Sequence, residues 1–313
     1  MTNIYLLASE SDSVGNAVES LFEKSHPLQR ISSIDLSDIE FGSSDVLILG
    51  EGMPNEFSTG QLPDSGFIHF IGCRPTVELL DRAPNSDALV AGISPSIAPR
   101  VANRVIGFTG PLNIKAMPDW GIIGLGEVGS EVVKKVTANR SSVVIAEMRT
   151  PRSGLLDELG VRRHSLDLLM SRSDVVSIHV HQGPTAAPLI SERELNLMKS
   201  DAVLINTSSS TVVNETAVLE ALSDGKLAGY ATDCPGEVVS NADESLVTSG
   251  KLIITTNPLT NQIGAAQQIA KYVEANVIAF SNGSGVQGKF DVIDFPAVGD
   301  PSFWSSQMSP RQD

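Results

Sequence analysis

Gly121-Ile-Ile-Gly124-Leu-Gly126-Glu127-Val128-Gly129 decides how this chain is read. A short apolar run enters a turn with glycines in the spacing G-x-G-x-x-G, and a helical pattern carrying Val132, Val133 and Val136 leaves it. Six-residue matches arise by chance, so the flanks carry the argument. Here a strand precedes the turn and a helix follows it. A second strand is expected over Val143–Ala146, and Glu147 stands 18 residues beyond Gly129. That is the setting of a dinucleotide-binding βαβ unit. Gly124 makes the tight turn, Gly126 lets a pyrophosphate approach bare backbone, and Gly129 lets helix and strand pack closely. The helix N-terminus adds partial positive charge, and Glu127 and Val128 count with the glycines as cofactor-binding residues. Glu147, followed by Met148, accepts from an adenosine ribose diol and repels a 2′-phosphate, which favours NAD over NADP. Arg149, with Arg152 nearby, works the other way, because a guanidinium pairs with a 2′-phosphate.

Outward from this stretch, short apolar runs alternate with helically spaced segments, the sign of a parallel sheet covered by helices. Strands are expected at Ile4–Ala8, Asp45–Leu49, Phe67–Ile71 and Ala88–Gly92, with a helix over Ser13–Lys24 that places Val14, Val18, Leu21 and Phe22 on one face. Later strands are expected at Val175–Val180, Ala202–Asn206, Gly229–Thr232 and Leu252–Thr255. Ser191-Glu-Arg-Glu194 reads as a capping box and Asn214 as an N-cap. Thr109–Asp119, with two prolines and a glycine, reads as a crossing between domains. A last long helix from about Asn261 to Phe280 has an apolar stripe at Ile263, Ala266, Ala270, Val273, Val277 and Phe280. That stripe is expected to return onto the first domain. The expectation is a two-domain α/β protein: 1–108, a Rossmann doubly wound sheet at 109–262, and a returning helix and tail at 263–313.

Length and composition bound the function. A chain of 313 residues is long enough for two cores. Lys+Arg 22 against Asp+Glu 37 gives a net charge of −15, so nucleic-acid and anionic membrane partners are disfavoured. An anionic substrate needs a local basic patch against that field. Two cysteines, Cys73 and Cys234, exclude a disulfide framework. No apolar stretch approaches the ~20 residues needed to span a bilayer, and the first ten residues lack a basic region, so a cytoplasmic protein is expected.

Four segments together carry a family resemblance: 121–129, already quoted; Ser-Asp-Val-Val-Ser-Ile-His-Val at 173–180; Met-Lys-Ser-Asp-Ala-Val-Leu-Ile-Asn-Thr at 198–207; and Val-Val-Asn-Glu with Ala-Leu-Ser-Asp-Gly-Lys-Leu-Ala-Gly within 212–229. From about Trp120 to Gln268 the chain resembles the D-isomer-specific 2-hydroxyacid dehydrogenases, the group that includes phosphoglycerate dehydrogenase. The resemblance implies a flavodoxin-like substrate domain over the first hundred residues and an active site in the cleft between domains. It implies that His179, Val180, Thr207, Ser208 and Asp233 border the cofactor. The family's carboxylate-binding Arg is replaced by Ser209, and its acid/base His by Asn257. The Glu that partners that His falls at Val238, with Glu237 one residue early. The link between Gly92 and Trp120 is shorter than the family's dimerisation arm, which weakens the expectation of a homodimer.

These replacements shape the expected chemistry. Reducing a ketone needs a hydride at carbon and a proton at oxygen, and Asn does not titrate. Asn257 and Ser209 are therefore expected to polarise a carbonyl by neutral hydrogen bonds. Arg74, after a strand of the first domain, is expected to anchor the substrate. His181 or Glu237 is expected to handle the proton, although His181 also suits a plain hydrogen bond to a bound ribose. The pair His179 and His181 lacks a third ligand, so no metal site is expected. Three functions stay open: an NAD-dependent oxidoreductase on a small, anionic hydroxy or carbonyl substrate; a non-catalytic NAD(H) sensor or regulator; and an enzyme using tightly bound NAD for a net non-redox reaction.

Overall fold

The structure is a computed structural model that describes residues 2–32, 35–50, 62–71, 87–138, 144–147, 153–180, 187–255 and 264–289. The described residues divide into two compact units, those of 2–97 with 264–289 and those of 98–255.

The smaller unit is built on five parallel strands: β1 Ile4–Leu7, β2 Leu28–Arg30, β3 Val46–Leu49, β4 Phe67–Phe70 and β5 Leu89–Gly92, in the order β2-β1-β3-β4-β5. The interior strands are apolar on both faces, as a sheet covered on two sides requires; every residue of β3 and β4 is buried. Helix Ser13–Phe22 starts where the Asp12 carboxylate accepts from the N–H groups of Val14 and Gly15. It buries Val14, Val18 and Phe22 in one cluster with Ile4, Leu6 and Val46. The helix Ala265–Ser281 adds Ile269, Ala270, Val273 and Val277 to the same cluster. The sequence pattern gave four strands here; the fifth, β2, is a three-residue edge of Leu-Gln-Arg, too short and polar to show a period. One buried polar side chain sits within this sheet. His69 on β4 faces Asn276 Nδ2 at 3.0 Å through Nε2, and burial lowers its pKa to about 4.

The larger unit has seven parallel strands: β6 Trp120–Ile123, β7 Val144–Glu147, β8 Arg162–Arg163, β9 Val175–Ile178, β10 Val203–Asn206, β11 Gly229–Thr232 and β12 Leu252–Ile254. Their order is β12-β11-β10-β9-β6-β7-β8. The order reverses between β6 and β9, and ligands of such sheets bind outside the carboxyl ends of the strands at the reversal. In register, Ile123, Ile178, Asn206 and Thr232 lie side by side, so the loops after β6, β9, β10 and β11 leave from one edge.

Helix Ser94–Thr109 starts in the smaller unit, and its turns from Ala98 onward belong to the larger. Ala102, Val105 and Phe108 pack with Trp120, Val203, Ile205 and Ala231. It runs antiparallel to the strands: Arg104 reaches Asp233 beyond the end of β11, while Leu112 lies against Gly229 at the start of that strand. The sequence reading left this segment within a link, although it carries a sixteen-residue helix with Pro99 inside it. Among the described residues, no helix is long and apolar enough to cross a membrane.

Candidate functional site

The three glycines of the loop after β6 meet three different environments. Gly124 has φ +90, and a Cβ there would lie 2.5 Å from the carbonyl oxygen of His179. A Cβ on Gly129 would lie 2.1 Å from the carbonyl oxygen of Gly124, which is the close helix–strand packing expected of it. Gly126 is the opposite case: a Cβ there would meet nothing within 4 Å. The space in front of its backbone is open, at the start of helix Glu127–Ala138, whose first-turn N–H groups lack helical partners. Open space, bare backbone and partial positive charge together fit a pyrophosphate. Glu127 is exposed, Val128 half-buried.

The loop after β10 is shaped by Asn206. Its Nδ2 donates to the Ser209 carbonyl at 2.8 Å, and its Oδ1 accepts from the Ser208 N–H at 3.0 Å. Ser208 Oγ donates to the Ile178 carbonyl at 2.8 Å, tying β10 to β9. Thr207 lies between these fixed residues, and its Oγ1 is the one buried side-chain oxygen or nitrogen without a partner among the described residues. A buried hydroxyl left unmatched is costly unless a ligand completes it. Ser209 opens the turn that follows. Its Oγ accepts from the Thr211 N–H at 3.3 Å and lies 2.9 Å from Thr211 Oγ1, so it caps a 3-10 turn at Ser210–Val212.

His179 continues the edge of β9, its N–H donating to the Ile123 carbonyl at 2.7 Å. Its Nε2 turns back to Ser177 Oγ at 2.8 Å, and burial lowers its pKa to about 3. The ring is therefore neutral near pH 7. Val180 packs by Cγ1 toward Gly124. After β11, Asp233 accepts from Arg104 Nη1 at 2.9 Å, both side chains nearly buried. Cys234 follows, its N–H donating to Thr232 Oγ1 at 3.1 Å. Glu237 is exposed on the first turn of a short helix. That helix is held by buried Glu215, whose two oxygens accept from the N–H groups of Gly236 at 2.6 Å and Val239 at 3.1 Å.

The edge therefore gathers Gly124, Gly126, Gly129, His179, Val180, Thr207, Ser208, Ser209, Asp233 and Glu237 within one unit. Arg74, Met148, Arg149, His181 and Asn257 lie outside the described residues, as does the side chain of Glu147, whose backbone pairs with Ile123 at the end of β7. Among the described residues no three metal-binding side chains converge. Two residues escaped the sequence reading: Glu215, visible only as part of the 212–215 segment, and Arg104, hidden in the presumed link.

Comparison with known proteins supplies the last observation. Residues 115–256 match the family model described as D-isomer specific 2-hydroxyacid dehydrogenase, NAD binding domain. A glyoxylate reductase of Aeropyrum pernix is 30% identical over 165 residues, 52% of this chain and 48% of that protein. A glycerate dehydrogenase of Methylorubrum extorquens is 31% identical over 170 residues, 52% of this chain and 50% of its own. The chain thus spans about half the length of these curated relatives. The crystal structure of an NADPH-dependent glyoxylate/hydroxypyruvate reductase of Sinorhizobium meliloti, in complex with NADP and malonate, has the same fold. It superposes with a TM-score of 0.72 at 16% identity, covering 94% of this chain and 98% of that one.

Proposed function

We propose, from the match of residues 115–256 to the NAD binding domain of the D-isomer specific 2-hydroxyacid dehydrogenases, that the chain is an NAD-dependent oxidoreductase. Its substrate is a small anionic 2-hydroxy or 2-oxo acid, and its acid/base set departs from the family's usual one. The observation that carries the reading is the open space before Gly126, between two glycines whose own Cβ positions are blocked by backbone. NAD(H) held there would supply hydride transfer to or from the substrate carbon. The chain's residues do the rest. The backbone at Gly126, Glu127 and Val128 receives the pyrophosphate, Glu147 selects the unphosphorylated ribose, and Thr207 Oγ1 finds its missing partner on the ligand. Asn257 and Ser209 polarise the carbonyl, Ser209 through a hydroxyl that also meets Thr211, and His181 or Glu237 handles the proton. Neutral His179 serves as a hydrogen-bonding neighbour of the cofactor.

A second reading, an NAD(H)-binding regulator without turnover, is favoured by the uncharged Ser209, whose hydroxyl meets Thr211 in its own loop. Calorimetry with NADH and NADPH, followed by absorbance at 340 nm with glyoxylate, hydroxypyruvate and a panel of other 2-oxo acids, separates the two. An enzyme binds NADH more tightly than NADPH and oxidises it with at least one acid. A regulator binds NADH and stays silent with all of them. No binding of either nucleotide sinks both readings.

A further inference from the structure

The carboxyl edge of the larger unit holds a guanidinium whose donors are mostly unspent. Arg104 projects from the helix Ser94–Thr109 and donates from Nη1 to Asp233 Oδ2 at 2.9 Å. A guanidinium offers five N–H donors in a rigid planar fork, and this is the hydrogen bond Arg104 makes among the described residues. Its side chain is 11% exposed. Yet Thr207 Oγ1 is the sole fully buried side-chain polar atom without a partner among those residues, so the spare nitrogens of Arg104 reach accessible space. A fork pinned at one corner thus opens at the edge where ligands of these sheets bind.

Charge gives the fork a purpose. With a net charge of −15, the chain repels small anions unless a local cation draws them in. Ser209 carries no charge, and its hydroxyl lies 2.9 Å from that of Thr211. Arg104 approaches the same edge from another element, the helix Ser94–Thr109. Asp233 offsets part of the Arg104 charge and orients the guanidinium, leaving its other N–H groups directed at an incoming anion. Because the fork is already fixed, less side-chain entropy is lost when it receives a second carboxylate.

We propose that Arg104 is the substrate-carboxylate anchor of this protein, receiving the carboxylate of a 2-oxo or 2-hydroxy acid on the N–H groups that Asp233 leaves unused. The assignment rests on the oxidoreductase reading above and makes the substrate class specific: an acid with its carboxylate next to the reacting carbon.

The test is binding of oxamate, an unreactive 2-oxo-acid mimic, to the NADH-loaded full chain, measured by calorimetry beside an NADH fluorescence titration. Arg104→Gln keeps a donor for Asp233 and removes the charge; Arg104→Lys keeps the charge and loses the fork. The expected result is a loss of at least tenfold in oxamate affinity for Arg104→Gln, with partial recovery in Arg104→Lys. NADH affinity should stay within about threefold in both. Oxamate affinity unchanged in Arg104→Gln overturns the assignment and returns the role to Arg74. NADH affinity falling as far as oxamate affinity also overturns it, since Arg104 would then only position Asp233. Failure of the wild-type chain to bind NADH is a different failure, that of the oxidoreductase reading itself.

Discussion

The two edges of the seven-stranded sheet each hold a nearly buried aspartate facing cations, and they are finished in opposite ways. At the amino edge Asp174 is saturated: it accepts from Lys115 at 2.6 Å, Lys199 at 2.8 Å and the Asp119 N–H at 2.6 Å. Burial alone raises its pKa, but these three donors outweigh it and hold the carboxyl at about 2. At the carboxyl edge the same kind of pair, Asp233 with Arg104, leaves most of the guanidinium's donors unused, beside an orphaned hydroxyl and an uncovered glycine. Folding alone explains the first arrangement. The second is completed only by something that arrives later. Saturation marks a structural pair, and spare capacity marks a binding edge.

The largest expected effect falls on the saturated edge. Asp174→Ala strands the Asp119 N–H and two lysines, and should cost about 2–3 kcal/mol in urea unfolding while leaving the NADH affinity of the folded fraction unchanged. Acid should reproduce the loss. The folded pKa lies below the ordinary 3.8, so this contribution is complete above about pH 4 and vanishes as pH falls through about 2. A stability curve flat across that window would contradict it.

On the open edge the order of effects reverses, with binding moving more than stability. Gly126→Ala places a methyl group where nothing stands, so the melting temperature should hold while NADH binding weakens roughly tenfold, about 1.4 kcal/mol. Equal NADH titrations for the two proteins would mean that no ligand approaches that backbone. Thr207→Val replaces an unmatched buried hydroxyl by a methyl group and should stabilise the free chain by about 1 kcal/mol while loosening NADH. Destabilisation instead would show that Oγ1 is already satisfied. The smallest change is expected from Glu127→Arg, which turns an exposed first-turn acid toward attraction for phosphate. NADH binding should tighten roughly threefold at low ionic strength and return to the wild-type value at 1 M salt.

The contrast between edges also explains what the sequence made legible. The glycine loop was readable because its spacing is local: Gly129 answers to the carbonyl of Gly124 five residues away, although what blocks Gly124 is the carbonyl of His179 beyond the end of β9. The interior strands were readable because they are buried on both faces and appear as unbroken apolar runs. β2 and β8 were not, being edge strands of three and two largely polar residues. Ser209 was recognisable as a substitution for an arginine, but only the fold reveals that its hydroxyl turns onto Thr211. Arg104 was invisible for a physical reason. Its partner lies 129 residues away, and the helix that carries it contains a proline and falls in the stretch between Gly92 and Trp120 that reads as a link. Long-range pairing of that kind leaves no local period.

In the smaller unit, Asn276 imitates a missing neighbour strand. Its Nδ2 donates to the Gln287 carbonyl and its Oδ1 accepts from the Gln287 N–H, both at 3.0 Å, while the same amide faces His69. A chain cut before Gln287 would seal that amide in the interior with two of its bonds lost, so the shortest fragment worth expressing runs through Lys289. Deamidation at 276 during storage would be harsher still. It would set a carboxylate against an imidazole that burial keeps uncharged.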